Sequence, residues 1–276
     1  MNQALLIVNA DDFGLTPGVN RGIIHGFENG IITSTSLLAV APAFDDAVAC
    51  WRATSRAGLG IGVHFALVGE DPPLLSAREI PSLVDARGHF PPSWKQFLPR
   101  ASAGRIDPDE VRAELGAQLR RIEEVGIVPT HVDSHQHLHL WPMVRRIVVD
   151  LACQHGIDAI RVPRSMARGA RPFLLNRLAD RLGTAAHAAG LRHPQVFAGL
   201  EESGSLDQVR LKAVLQALGP FASAEIGCHP GLDDDPDRDR YRWGFHWSEE
   251  LLALCDPTIA EHIERHGFVL GSFADL

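Results

Sequence analysis

No C-x-x-C pair occurs in this chain; its four cysteines, Cys50, Cys153, Cys228 and Cys255, are scattered. That pattern fits reduced thiols in a cytoplasmic protein rather than a disulfide framework. Positive charge is also short. A formal net charge of -8 excludes the basic stripe that a nucleic-acid binder needs. The start, M-N-Q-A-L-L-I-V-N-A, has no basic segment ahead of its apolar run, and no long hydrophobic run follows. Neither a signal peptide nor a transmembrane segment is therefore expected. Glycine-rich phosphate loops of either nucleotide-binding type are missing too.

What the chain has is apolar content and histidine. With 276 residues and 45% hydrophobic content it can bury one large core. Short apolar runs alternate with helical periodicity nearly throughout. Leu5–Asn9, Ile31–Val40 and Leu59–Phe65 read as strands, as do the Ile127–Pro129 entry, Asp158–Pro163, Gln195–Leu200, Ala224–Cys228 and Phe268–Leu270. Helical faces lie between them, several opened by Thr16-Pro17, Pro42, Pro108 and Pro142. Strand–helix alternation predicts a parallel sheet, and about seven or eight such units favour an α/β fold closed as a TIM-like (β/α) barrel, one domain over 1–276. The stretch 69–107 is too long for a plain connection and reads as a functional loop inserted at the third strand.

Thr130–His139 reads T-H-V-D-S-H-Q-H-L-H. In extended chain its alternate residues, His131, Asp133, His135, His137 and His139, share one face. Imidazole and carboxylate together are the usual ligands of a catalytic metal. Asp11, Asp12, His64, His135, Arg161 and His229 all fall at or just past the C-terminal ends of expected strands. In a parallel barrel those ends form one rim, where active sites sit. Arg161 is expected either to hold Asp11 ionised or to contact a substrate.

In order along the chain, V-N-A-D-D-F-G, T-S-T-S-L, G-V-H-F, T-H-V-D-S-H-Q-H-L-H and C-H-P-G together resemble the YdjC-like carbohydrate deacetylases. The resemblance covers nearly the whole chain. It implies a deformed (β/α) barrel, one divalent metal ion, and hydrolysis of acetyl groups from N-acetylated sugars such as chito-oligosaccharides. It assigns Asp12, His64 and His135 as metal ligands, Asp11 as general base and His229 as general acid. The segments A-L-V-G-E-D-P-P-L-L and E-I-P-S-L-V-D-A-R-G-H-F resemble the hopanoid-biosynthesis-associated branch, which implies an N-acetylglucosaminyl lipid as substrate and work at the inner membrane face. Such a set leaves room for water and a substrate oxygen on the metal, Mg2+ or Zn2+. Asp133 and His137 are expected to support the ligands, and His131 and His139 to be structural.

The long loop carries Trp94 and Phe97 among many large apolar groups, and these are expected to contact an apolar aglycone. The plainer alternative is packing on the barrel's own helices or on a second subunit of a homodimer. Two other functions compete with deacetylation. One is a metal-dependent sugar isomerase or epimerase, for which Glu225 is the obvious strand-end glutamate; the other is a sugar-binding protein without turnover.

Overall fold

A computed structural model describes residues 4–219 and 221–276. Its strands are β1 (Ala4–Phe13), β2 (Ser34–Leu37), β3 (Gly60–Phe65), β4 (Val132–Ser134), β5 (Val196–Ala198), β6 (Ser223–Cys228) and β7 (Phe268–Leu270). All pairings are parallel, in the order β4-β3-β2-β1-β6-β5, with β7 beside the first residues of β1. Beyond β4, two isolated bridges, Val132 with Ile160 and Ala159 with Arg192, lead toward the segment that precedes β5. The architecture is thus the expected α/β barrel, deformed, with only bridges where one stave should stand.

The helices are α1 (Pro17–Asn29), α2 (Phe44–Ala53), α3 (Trp94–Ser102), α4 (Pro108–Glu124), α5 (Pro142–Gln154), α6 (Ala170–Ala188), α7 (Gln208–Ala217), α8 (Trp247–Leu254) and α9 (Pro257–Arg265). Proline at the first helical position opens α1, α4, α5 and α9, where its missing N–H costs nothing. Thr16 caps α1 by accepting from the Val19 N–H, and Asp107 caps α4 by accepting from that of Asp109. The strands are covered on both faces, by helices outside and by side chains filling the barrel, so Leu6, Val8, Val63 and Ile226 are fully buried.

Several expectations need correction. Of Ile31–Val40 only Ser34–Leu37 is strand. The fourth strand begins at Val132, after the apolar Ile127–Pro129. Asp158–Pro163 forms bridges and no strand, because only Ala159 and Ile160 meet neighbours in register. His135–Leu140 is not extended: it coils as a 3-10 turn with Gln136 at φ 53° and His137 at φ 55°. Its histidines therefore diverge instead of sharing a face. The long loop contains α3, and its Ile80, Leu83, Phe90 and Phe97 are buried in the barrel's own core. The last helical region starts at Trp247 without a side-chain cap and breaks into α8 and α9.

Candidate active site

Asp11 and Asp12 sit near the end of β1, where the pairing with β2 shifts register between Ala10 and Phe13. There Asp12 takes φ 65°, a left-handed conformation that turns its carboxylate onto the rim. The described non-glycine residues with positive φ are Asp12, Gln136 and His137, and all three line one cavity. Such conformations cost of order 1–3 kcal/mol each and persist where surrounding structure enforces them. Gln136 is held by accepting from the Trp94 N–H at 2.9 Å, which ties the turn to the start of α3.

Three donors converge on the rim. Asp12 Oδ1 lies 3.1 Å from His135 Nδ1 and 3.4 Å from His64 Nε2. One ligand atom from each of Asp12, His64 and His135 falls within 4.8 Å of the others, and all three residues are buried. One carboxylate with two imidazoles, packed this closely and opening on a cavity, fits a divalent metal ion. His64 is aimed from behind, its Nδ1 being 2.7 Å from Asp133 Oδ1, the usual carboxylate–histidine support of a metal site. Burial opposes the His64 imidazolium, but Asp133 and Asp12 outweigh it and push the pKa up to about 10. Burial likewise opposes the Asp12 carboxylate, yet His135 and His64 hold it well below the usual range.

Beneath this trio lies Arg161, fully buried. Its guanidinium donates to both Asp11 oxygens at 2.7 Å, meets Asp133 Oδ2 at 2.6 Å and donates to Glu225 Oε1 at 2.6 Å. Asn9 adds a bond to Asp11 Oδ1, and Ser36 donates to Asp133 Oδ2. Arg161 is therefore no substrate contact: it is sealed under Asp11 and fixes its charge. Burial raises the Asp11 pKa, but Arg161 more than offsets it, and the carboxyl sits below its ordinary range. Glu225, proposed above as a rim glutamate, is equally sealed; burial lifts it to about 7 despite Arg161, and its Oε2 lacks a partner.

His229 lines the cavity, with Nε2 4.0 Å from Asp11 Oδ2. Its backbone N–H donates to Glu250 at 2.6 Å. His137 makes no hydrogen bond to the ligand trio: its ring packs edge-on against His139 and Phe197, and Nδ1 is buried without a partner. His131 lies fully buried, stacked on Phe273 at 3.7 Å. Trp94 lines the cavity, whereas Phe97 is buried one turn away and Leu98 stands in its place.

The cavity measures about 820 Å³. One wall was not foreseen. After His229 the chain carries Tyr241, Trp243, Phe245 and Trp247, alternate residues whose rings meet in sequence 5.2–5.4 Å apart. Trp243 lies over His135 at 5.2 Å and Phe245 against His229 at 4.9 Å. Asp71 anchors this loop to the one after β3 by accepting from Tyr241 and Arg240, and Glu70 accepts from Trp243 Nε1. The signal was present as aromatic alternation inside a stretch that reads first as charge. The opposite wall is apolar: Leu138, Leu140 and Trp141 face Leu174, Leu175 and Leu178 of α6.

Comparison with known proteins agrees with this geometry. The model of the family described as YdjC-like protein matches residues 5–265. A carbohydrate deacetylase of Geobacillus stearothermophilus is 34% identical over 98% of this chain and 96% of its own. A chitooligosaccharide deacetylase of Yersinia pestis (strain Pestoides F) is 34% identical over 99% of both. Among solved structures, one from Enterococcus faecalis V583, provisionally named a cellobiose-phosphate cleavage protein, superposes with TM-score 0.82 at 26% identity, covering 99% of this chain and 98% of its own. This chain belongs to the YdjC-like family.

Proposed function

We propose that this protein hydrolyses the acetamide of an N-acetylated amino sugar, and that the sugar carries an apolar aglycone, in the finest reading an N-acetylglucosaminyl hopanoid. The observation that carries the reading is a single cavity with the Asp12–His64–His135 trio and Asp11 at one end and leucines of α6 at the other. A divalent ion held by Asp12, His64 and His135 would polarise the acetyl carbonyl and make water more acidic. Asp11, on the cavity side of Arg161, takes the proton from the attacking water as the new C–O bond forms. His229 Nε2 gives a proton to the amine as the C–N bond breaks, which yields acetate and the free amino sugar. Asp133 keeps His64 oriented with Nε2 forward.

Glu225, the glutamate an isomerase would use, is enclosed below Arg161, and the glutamate that does line the cavity, Glu201, is engaged by Ser165 on its wall. The apolar residues of the 69–107 loop pack mainly on the barrel, so α6 and the turn after β4 supply the aglycone wall instead, with Trp94 and Leu98 at its edge.

Acetate release by metal-reconstituted protein tests both parts. Turnover is expected on N-acetylated chito-oligosaccharide and on an N-acetylglucosaminyl conjugate with an aliphatic tail, with the higher kcat/KM on the conjugate. No acetate from either substrate sinks the deacetylase reading; equal rates on both remove the aglycone.

A further inference from the structure

We infer that the mouth of the cavity is a docking surface for an anionic lipid bilayer. Met166, Phe173 and Leu174 are 44%, 68% and 63% exposed, and these large apolar side chains fall within nine residues of one another. Leu174 belongs both to this patch and to the cavity lining, so the apolar wall runs without interruption from the catalytic end to the outer surface. A helix that only covered a barrel would turn such groups inward, as α6 does with Ala179, Leu182 and Ala186.

The charge around the patch names the partner. Residues 164–181 hold five arginines against one aspartate, in a chain whose formal charge is -8. Asp180 is engaged by Arg164, and Glu201, the nearby acid on the cavity wall, accepts from Ser165. Arg168, Arg171, Arg177 and Arg181 take no ion pair among the described residues and are exposed. Arg177 and Arg181 follow Leu174 at helical spacings of three and seven, on the same outward stripe. Across the mouth, Lys95 is exposed beside Trp94 at the start of α3. Apolar groups ringed by arginine on an otherwise acidic protein complement a surface of anionic headgroups over acyl chains. A soluble acidic-protein partner would match the arginines but not an apolar wall that continues into the active-site cavity.

Docked in this way, the cavity opens directly onto the bilayer, and a sugar whose tail stays in the membrane reaches Asp12, His64 and His135 without leaving it. The inference rests on the aglycone reading for its purpose, yet its test is independent of turnover. Purified protein is sedimented with vesicles of phosphatidylcholine alone or with one-third phosphatidylglycerol. Roughly tenfold more protein is expected on the anionic vesicles, with binding falling as salt is raised. Phe173→Ser, Met166→Ser and Arg168→Glu, all outside the cavity lining, are each expected to cut that binding several-fold while acetate release from soluble chito-oligosaccharide stays unchanged. Equal binding to both vesicle types, no binding to either, or binding indifferent to the three substitutions overturns the inference. So does a dimer in sedimentation velocity that Phe173→Ser dissociates, since the patch would then be covered by a second copy. Loss of acetate release with vesicle binding intact would instead fault the catalytic reading and leave the surface standing.

Discussion

At Asp11 two demands of its proposed role as base pull against each other. A base should have a pKa near the working pH, yet the fork of Arg161 holds this carboxyl below its ordinary range. What Arg161 secures is that Asp11 is ionised and aimed, while proximity to the water has to supply the rest. Asp11→Asn keeps the shape and loses the charge. It is expected to leave metal content unchanged and lower kcat by roughly two to four orders of magnitude. Metal content from elemental analysis together with single-turnover rates checks this, and near-normal turnover would leave Asp11 only an orienting part. His64 gives a second residue-level prediction. Without metal it is protonated, at a pKa of about 10, whereas a ligand imidazole must be neutral. Zinc binding near pH 7.5 should therefore release about one proton, which calorimetry in two buffers of different ionisation enthalpy counts. His64→Ala should abolish both heat and proton release; full binding by that variant would remove His64 from the ligand set.

The elements divide sharply in how much of them the sequence disclosed. Most helix starts were legible because a Thr cap and a proline at the first helical position are local chemistry, as at Thr16-Pro17, Pro108 and Pro142, whereas α2 starts at Phe44 and not at the expected Pro42. Buried strands were legible as short apolar runs, and the convergence of Asp12, His64 and His135 followed from their places at strand ends. The failures share a cause: each depended on a dihedral or a distant neighbour. T-H-V-D-S-H-Q-H-L-H alternates like a strand, but the chain coils after Ser134 because Gln136 and His137 enter the left-handed region. Arg161 looked like a rim residue, and only the meeting of β1, β4 and β6 around it shows that three carboxylates enclose it. The aromatic alternation from Tyr241 to Trp247 was hidden among Asp and Arg. That loop carries its own prediction. Trp243→Ala removes a face of the cavity and the ring over His135, and should lower kcat/KM about tenfold, mainly through KM. Metal content that fell in parallel would show Trp243 acting through His135 and not on the sugar.

At the scale of the whole molecule, the barrel's interior holds a buried charged network, and its response to pH follows from the groups that burial holds in one state. Burial keeps His131, His137 and His139 neutral, at about 3, 3 and 4, against 6.5 for the free side chain. As pH falls below 6.5 the unfolded chain binds protons at these three positions and the folded one does not, so stability drops. Glu225 works the other way: burial raises it to about 7 from 4.5, so the folded state holds a proton that the unfolded chain gives up, and stability rises as pH falls through that window. His64 contributes no slope there, being protonated in both states below 6.5 in the metal-free protein. Each group is worth about 1.4 kcal/mol per pH unit, and three histidines against one glutamate leave a net loss on the order of 2–3 kcal/mol per unit between pH 6 and 5. Urea midpoints of chelator-treated protein at those two pH values measure it directly. His137→Asn suits the left-handed backbone there, removes one titrating group and discards a buried nitrogen that has no partner. It should flatten the slope by about one group's share without lowering stability at pH 7.5. A midpoint that does not move between pH 6 and 5 would mean that water reaches these histidines, and that the interior around Arg161 is wetter than its packing indicates.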